Sequence, residues 1–171
     1  PVAKRDSTPP LAKSEADANA YTSFNKTAYL FSCTDCFEEA ICELIDFVTH
    51  PYFTPESVAS EIGIISEEIK MYDDSPGDRC FYGMLEGMYE HHAIRRNICG
   101  SAESIRKITP ELLYNCYNAF YNLHNMALFI CGDVNDEEIL KIADELLPTS
   151  SDEFDAVFEN GNDFEAPSVY Q

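Results

Sequence analysis

Glu61 and Glu68 lie seven positions apart in the run T-P-E-S-V-A-S-E-I-G-I-I-S-E-E-I-K-M-Y-D-D, residues 54–74. Two carboxylates held side by side can ligate a divalent metal or serve as general acid and base. Whether these two sit together depends on the element that carries them. Thr54 is a good N-cap and Pro55 a favoured first helical residue, so a helix is predicted to start there. At roughly 100° per residue, Val58, Ile62, Ile65, Ile69 and Tyr72 share one face, and Ile64 with Met71 extends it sideways. Glu56, Gly63, Ser66, Glu67 and Lys70 fall on the polar side. Glu61 and Glu68 project between the two apolar stripes, stacked on one line because seven residues are nearly two turns. An ionised carboxylate inside an apolar face is costly unless a metal, a cation or several donors meet it. Two readings follow: both side chains reach water at the edge of the buried face, or the helix carries a metal or acid–base site.

The neighbouring segments read as a mixed domain. The runs N-A-Y-T-S-F and T-A-Y-L-F-S-C flank Asn25-Lys26 and predict two strands around a tight turn, with Asn25 taking a positive φ. Asp35 with Glu38 forms a predicted capping box for a helix carrying Phe37, Ile41, Leu44, Ile45 and Val48, ended by Pro51. Ser75-Pro76 starts another helix, with Phe81, Met84, Leu85 and Met88, and residues 90–97 read as a loop. Thr109-Pro110 opens a helix through Leu112, Leu113, Cys116, Tyr117 and Phe120. The apolar run from Met126 to Cys131 predicts a strand, and Asn135 with Glu138 caps a last helix ended by Pro148. Strands, then helices, then strand and helix make an α+β layer domain over 16–148. Residues 1–15 read as an irregular lead-in, and 149–171 as an acidic tail or connector.

At 171 residues the chain is one domain's length, with 45% hydrophobic residues to build a core. Its 31 acidic against 11 basic residues, net −20, argue against a nucleic-acid or anionic-membrane partner. Seven cysteines, several inside apolar runs, with no secretory h-region and no apolar run long enough to cross a bilayer, point to reduced thiols in a cytoplasmic protein. The chain opens at Pro1 and not Met, so a fragment or a processed product is expected.

In order and spacing, N-A-Y-T-S-F-N-K-T-A-Y-L-F, P-Y-F, E-I-G-I-I-S-E-E-I-K-M-Y-D-D-S-P, C-G-S-A-E-S-I-R-K-I-T-P-E-L-L and N-M-A-L-F-I-C-G-D resemble the pitrilysin/insulinase family of zinc peptidases, which includes the mitochondrial processing peptidases. The resemblance runs from about Ala16 to Leu147. It implies a LuxS/processing-peptidase-like metallohydrolase domain, an antiparallel sheet with helices packed on one face, here N-terminally truncated. In that family an inverted H-x-x-E-H helix supplies two zinc-binding histidines and the glutamate that activates water. A third zinc ligand, a glutamate, comes from a later helix, and a second glutamate important for activity stands seven residues before it. By that resemblance Glu68 is the metal ligand and Glu61 its supporting catalytic carboxylate. Asn19, Ala20, Tyr21 and Thr22 match the sheet edge along which the family adds its peptide substrate as a strand.

The chain departs from the family at one decisive place. It holds only His50, His91, His92 and His124, and no H-x-x-E-H. A lone carboxylate does not hold zinc tightly, so this chain by itself is expected not to hydrolyse peptides. The expected partners are a peptide substrate and either a further N-terminal segment with a C-terminal half-domain or a second copy of the chain. Two functions stand against each other: part of a zinc-dependent endopeptidase, or a non-catalytic peptide-binding or interaction domain of the same fold. Cys33-x-x-Cys36 lacks a second pair and reads as structural, His91-His92 as a solvated loop, and the Tyr114-Tyr117-Tyr121 spacing as helix packing.

Overall fold

The computed structural model describes residues 16–147, so the expected lead-in and acidic tail lie outside the described residues, as does Pro148. The chain divides into two compact units. Within the described residues the first comprises 16–21, Thr27–Thr54 and 110–147, and the second Thr22–Lys26 and Pro55–Thr109.

Strands β1 (Asp17–Thr22) and β2 (Thr27–Ser32) form a two-stranded antiparallel sheet. The Ser23 N–H donates to the Lys26 carbonyl at 2.8 Å and closes the turn. Asn25 does not take the expected positive φ: among the described residues only Cys36 and Gly100 do. The rest of the first unit is α1 (Phe37–Thr49), α5 (Pro110–Phe120), a 3-10 turn at Leu123–Asn125 and α6 (Asp136–Leu146). The second holds α2 (Pro55–Asp74), α3 (Pro76–Met88), a 3-10 turn at Ala93–Arg95 and the single-turn α4 (Ala102–Ile105).

Helix α1 is the core of the first unit. Its Ala40, Ile41, Ile45 and Val48 are buried, and Ile41 is only 1% exposed. Burying one such side chain stabilises the fold by about 1.5–3 kcal/mol. Strand β2 packs on α1 through Tyr29 against Phe47 (ring centroids 5.9 Å) and Phe31 against Phe37 (6.0 Å). The tyrosines of α5 act as struts. Tyr117 donates to the Val48 carbonyl at 2.7 Å, Tyr114 accepts from the Phe53 N–H at 3.0 Å, and Tyr121 shares a 2.7 Å hydroxyl contact with Tyr29. Burial, reinforced by that Tyr121 contact, pushes the Tyr29 phenol far above its usual range. The Tyr114-Tyr117-Tyr121 spacing is therefore packing, as read.

Two sequence expectations fail in this unit. Helix α1 is not capped by Asp35 with Glu38; its N-cap is Cys36, left-handed at φ 56°, with no side-chain cap bond. Leaving β2, the chain needs a sharp left-handed turn before Phe37, which places Glu38 second in the helix, one position short of a capping box. The run Met126–Cys131 is not a strand. No described segment pairs with it, and a strand exists only through its ladder. Phe129 there is 88% exposed.

The second unit is built on Val58 and Ile69 of α2, Leu85 of α3 and Ile105 of α4, all buried. Ser75 caps α3 with Pro76 at its start, as expected, and accepts from the Asp78 N–H at 3.4 Å. Ser101 and Ser104 form a reciprocal capping box on α4. Gly100 just before it has φ +72°, and a Cβ there would sit 2.7 Å from Ser104 Oγ.

Candidate metal and substrate sites

Helix α2 places Glu61 and Glu68 as the periodicity predicts, two turns apart on one line. What surrounds them is more open than a buried wall. Val58 and Ile69 are buried, Ile62, Ile65 and Tyr72 are half-buried, and Ile64 and Met71 are each 60% exposed. The described residues bring no element over the Ile64/Met71 stripe, so only one flank of the acidic pair is packed. Glu61 is half-buried and Glu68 is exposed.

The two adjacent glutamates of this helix have different partners. Glu67, on the polar side, pairs with Lys70 Nζ at 2.6 Å. Glu68 instead accepts from the Tyr72 hydroxyl, 3.2 Å from its Oε1. That hydrogen bond, with the carboxylate charge behind it, holds the Tyr72 phenol above its ordinary range. The Cys99 thiol is also raised, first by burial and then by the charge of Glu68. Its loop is set by the Cys99 N–H donating to Asn97 Oδ1 at 2.9 Å and by the left-handed Gly100 beside it. Tyr72 and Cys99 were not among the sequence candidates. The four-residue step from Glu68 to Tyr72 was a readable signal; the approach of Cys99 is tertiary and left none.

The described residues do not build a metal site alone: no group of three or more His, Cys, Asp or Glu side chains among them could hold one ion. The chemistry of Glu68 fits one carboxylate donor, with one oxygen taken by a neutral hydroxyl. Two of the histidines have local partners. His50 Nδ1 lies 3.1 Å from Asp46 Oδ1, and the His92 ring accepts from the Ile94 N–H at 3.0 Å. All seven cysteines are free, Cys33 and Cys36 included.

Asn19, Ala20 and Tyr21 belong to the first unit and Thr22 to the second; all four are exposed on β1. β1 pairs with β2 and with no other described strand, so its outer side is a sheet edge. The Ala20 N–H is taken by the Asn19 side chain, Oδ1 at 2.8 Å, an arrangement an incoming strand could replace. A separate cavity of about 350 Å³ in the first unit is lined in part by Phe37, Glu38, Glu39, Asp133 and Glu138. Four of these are carboxylates at or beside helix starts, which the helix dipoles stabilise.

Comparison with known proteins shows the family. Residues 4–102 match the family model described as insulinase (peptidase family M16), and residues 107–153 match that of the peptidase M16 inactive domain. The chain is 52% identical over 130 residues to the uncharacterized zinc protease YmfH of Bacillus subtilis (strain 168), covering 76% of this chain and 30% of that protein. It is 25% identical over 131 residues to the mitochondrial-processing peptidase subunit beta of Caenorhabditis elegans, covering 76% of this chain and 29% of that one. An M16-like peptidase structure from Alicyclobacillus acidocaldarius superposes with a TM-score of 0.78 at 36% identity, over 93% of this chain and 35% of that chain. A protease from Helicobacter pylori shares the fold at a TM-score of 0.77 and 18% identity, over 84% of this chain and 36% of that one. The chain thus spans about a third of the length of the proteins it matches. The matches cover most of the described residues, and the chain belongs to the insulinase family, peptidase family M16.

Proposed function

We propose that this chain is part of a zinc-dependent endopeptidase acting on peptides, with Glu68 as a zinc ligand and Glu61 as its supporting carboxylate. The observation that carries this reading is the in-register acidic pair on α2, flanked on one side by an exposed apolar stripe, in a chain of the insulinase family. Bound zinc would supply Lewis-acid chemistry at the scissile peptide. Glu68 would hold it, with Glu61, half-buried two turns earlier, as the supporting carboxylate. Asn19, Ala20, Tyr21 and Thr22 would grip the peptide backbone as an added strand. The remaining zinc donors would come from a segment or half-domain outside the described residues, or from a second copy. The free thiols and the acidic balance fit a cytoplasmic setting; no helix among the described residues is long and apolar enough to cross a membrane.

The test is cleavage of an unfolded peptide by the full-length product of the encoding gene. Cleavage that a chelator stops, zinc restores and Glu68→Gln abolishes supports the reading. Cleavage untouched by both would overturn it. A second reading, a non-catalytic peptide-binding domain, is favoured by the lack of a three-donor cluster among the described residues. Peptide binding by that same product with no cleavage in the presence of zinc would select it.

A further inference from the structure

An exposed glutamate left to itself samples several rotamers, and a metal that binds it must first stop that motion. Glu68 is exposed but not left to itself. Tyr72, one turn further along α2 and half-buried, donates its hydroxyl to Glu68 Oε1 at 3.2 Å. The comparison with its neighbours on the helix is informative. Glu67 is held by the ammonium of Lys70, a cation that would compete with a metal for the same carboxylate. One turn beyond Glu61 stands Ile65, which has nothing to donate. Glu68 alone of the three has a neutral donor at the next turn. A phenol can fix where a carboxylate points while leaving its charge for a cation.

We propose that Tyr72 is a positioning residue for Glu68: its hydroxyl holds Oε1 and would leave Oε2 free to ligate zinc. The proposal rests on the reading of Glu68 as a zinc ligand. Carboxylates that ligate metals are themselves hydrogen-bonded, and losing such a partner typically weakens metal binding by about 10–100-fold.

The experiment measures zinc affinity of the full-length gene product by competition with a chromophoric chelator, together with Tm of the zinc-free protein. Tyr72→Phe keeps the ring and its packing and removes only the hydroxyl. Its Tm should match the wild type while zinc affinity falls by about tenfold. Glu68→Gln should lose at least about a hundredfold, since it removes a ligand. If Glu68→Gln loses zinc and Tyr72→Phe binds it as the wild type does, the role of Tyr72 is overturned and that of Glu68 stands. If Glu68→Gln keeps wild-type affinity, or the wild type binds no zinc, both readings fall. An affinity loss in Tyr72→Phe that merely follows a lowered Tm would make Tyr72 a packing residue and overturn the proposal as well.

Discussion

Glu61 and Glu68 share a helix and a chemical type but not their surroundings, and the different work proposed for them rests on that difference. Glu68 is exposed and oriented by a neutral hydroxyl, the arrangement a ligand needs. Glu61 is half-buried and further from water, a position that suits support of a neighbour. Glu61→Gln in the full-length gene product should therefore retain zinc and lower kcat by about 10–100-fold; zinc lost as completely as in Glu68→Gln would contradict this division. Gly100 is the other residue whose type is dictated locally. Its φ of +72° and the 2.7 Å approach a Cβ would make to Ser104 leave no room for a side chain. Gly100→Ala should cost about 1–3 kcal/mol in urea unfolding, through strain and disruption of the Ser101–Ser104 capping box. At this scale the sequence was partly legible. Glu61 and Glu68 could be picked out because their types clash with the stripes around them. The Tyr72 bond and the nearness of Cys99 to Glu68 could not, because they depend on rotamers and on a loop returning to the helix.

Helix α2 is the element the site depends on, and its start at Pro55 follows from proline's fixed φ and its missing N–H. Its burial was only half legible. Periodicity gives the relative angle of Ile64 and Met71 to Val58 and Ile69, but not whether another element arrives to cover them. The same limit explains Met126–Cys131, whose composition suits a strand but which has no described strand to pair with. Helix α1 was read correctly as an amphipathic core helix, and its left-handed entry at Cys36 was not, because the turn out of β2 decides it. Two predictions belong to elements. Ile41→Ala, at the largest fully buried side chain of α1, should destabilise the fold by about 2–5 kcal/mol in urea unfolding. On β1, Ala20→Pro removes an N–H bound only locally by Asn19, so the hairpin should survive with little change in Tm. If the outer edge of β1 takes the peptide backbone, that variant should raise KM by about tenfold, the loss of roughly one hydrogen bond, with kcat little changed; an unchanged KM would remove β1 from the substrate site.

For the molecule as a whole, the chain covers about a third of the length of its relatives, and no group of three or more His, Cys, Asp or Glu among its described residues could hold a metal ion. The family was readable from ordered motifs spread over some 130 residues, because each motif reports a local constraint and their order reports the fold. The two-unit division was not readable: the first unit is assembled from segments far apart in sequence, and no local pattern marks such an assembly. The net charge of −20 disfavours anionic partners without identifying a partner. Zinc stoichiometry after exhaustive dialysis, measured side by side on the 171-residue chain and on the full-length gene product, tests the account most directly. The chain alone should retain no zinc, the full-length product about one per molecule, and its Glu68→Gln variant none. Tight zinc in the chain alone, or full occupancy in the Glu68→Gln protein, would contradict it.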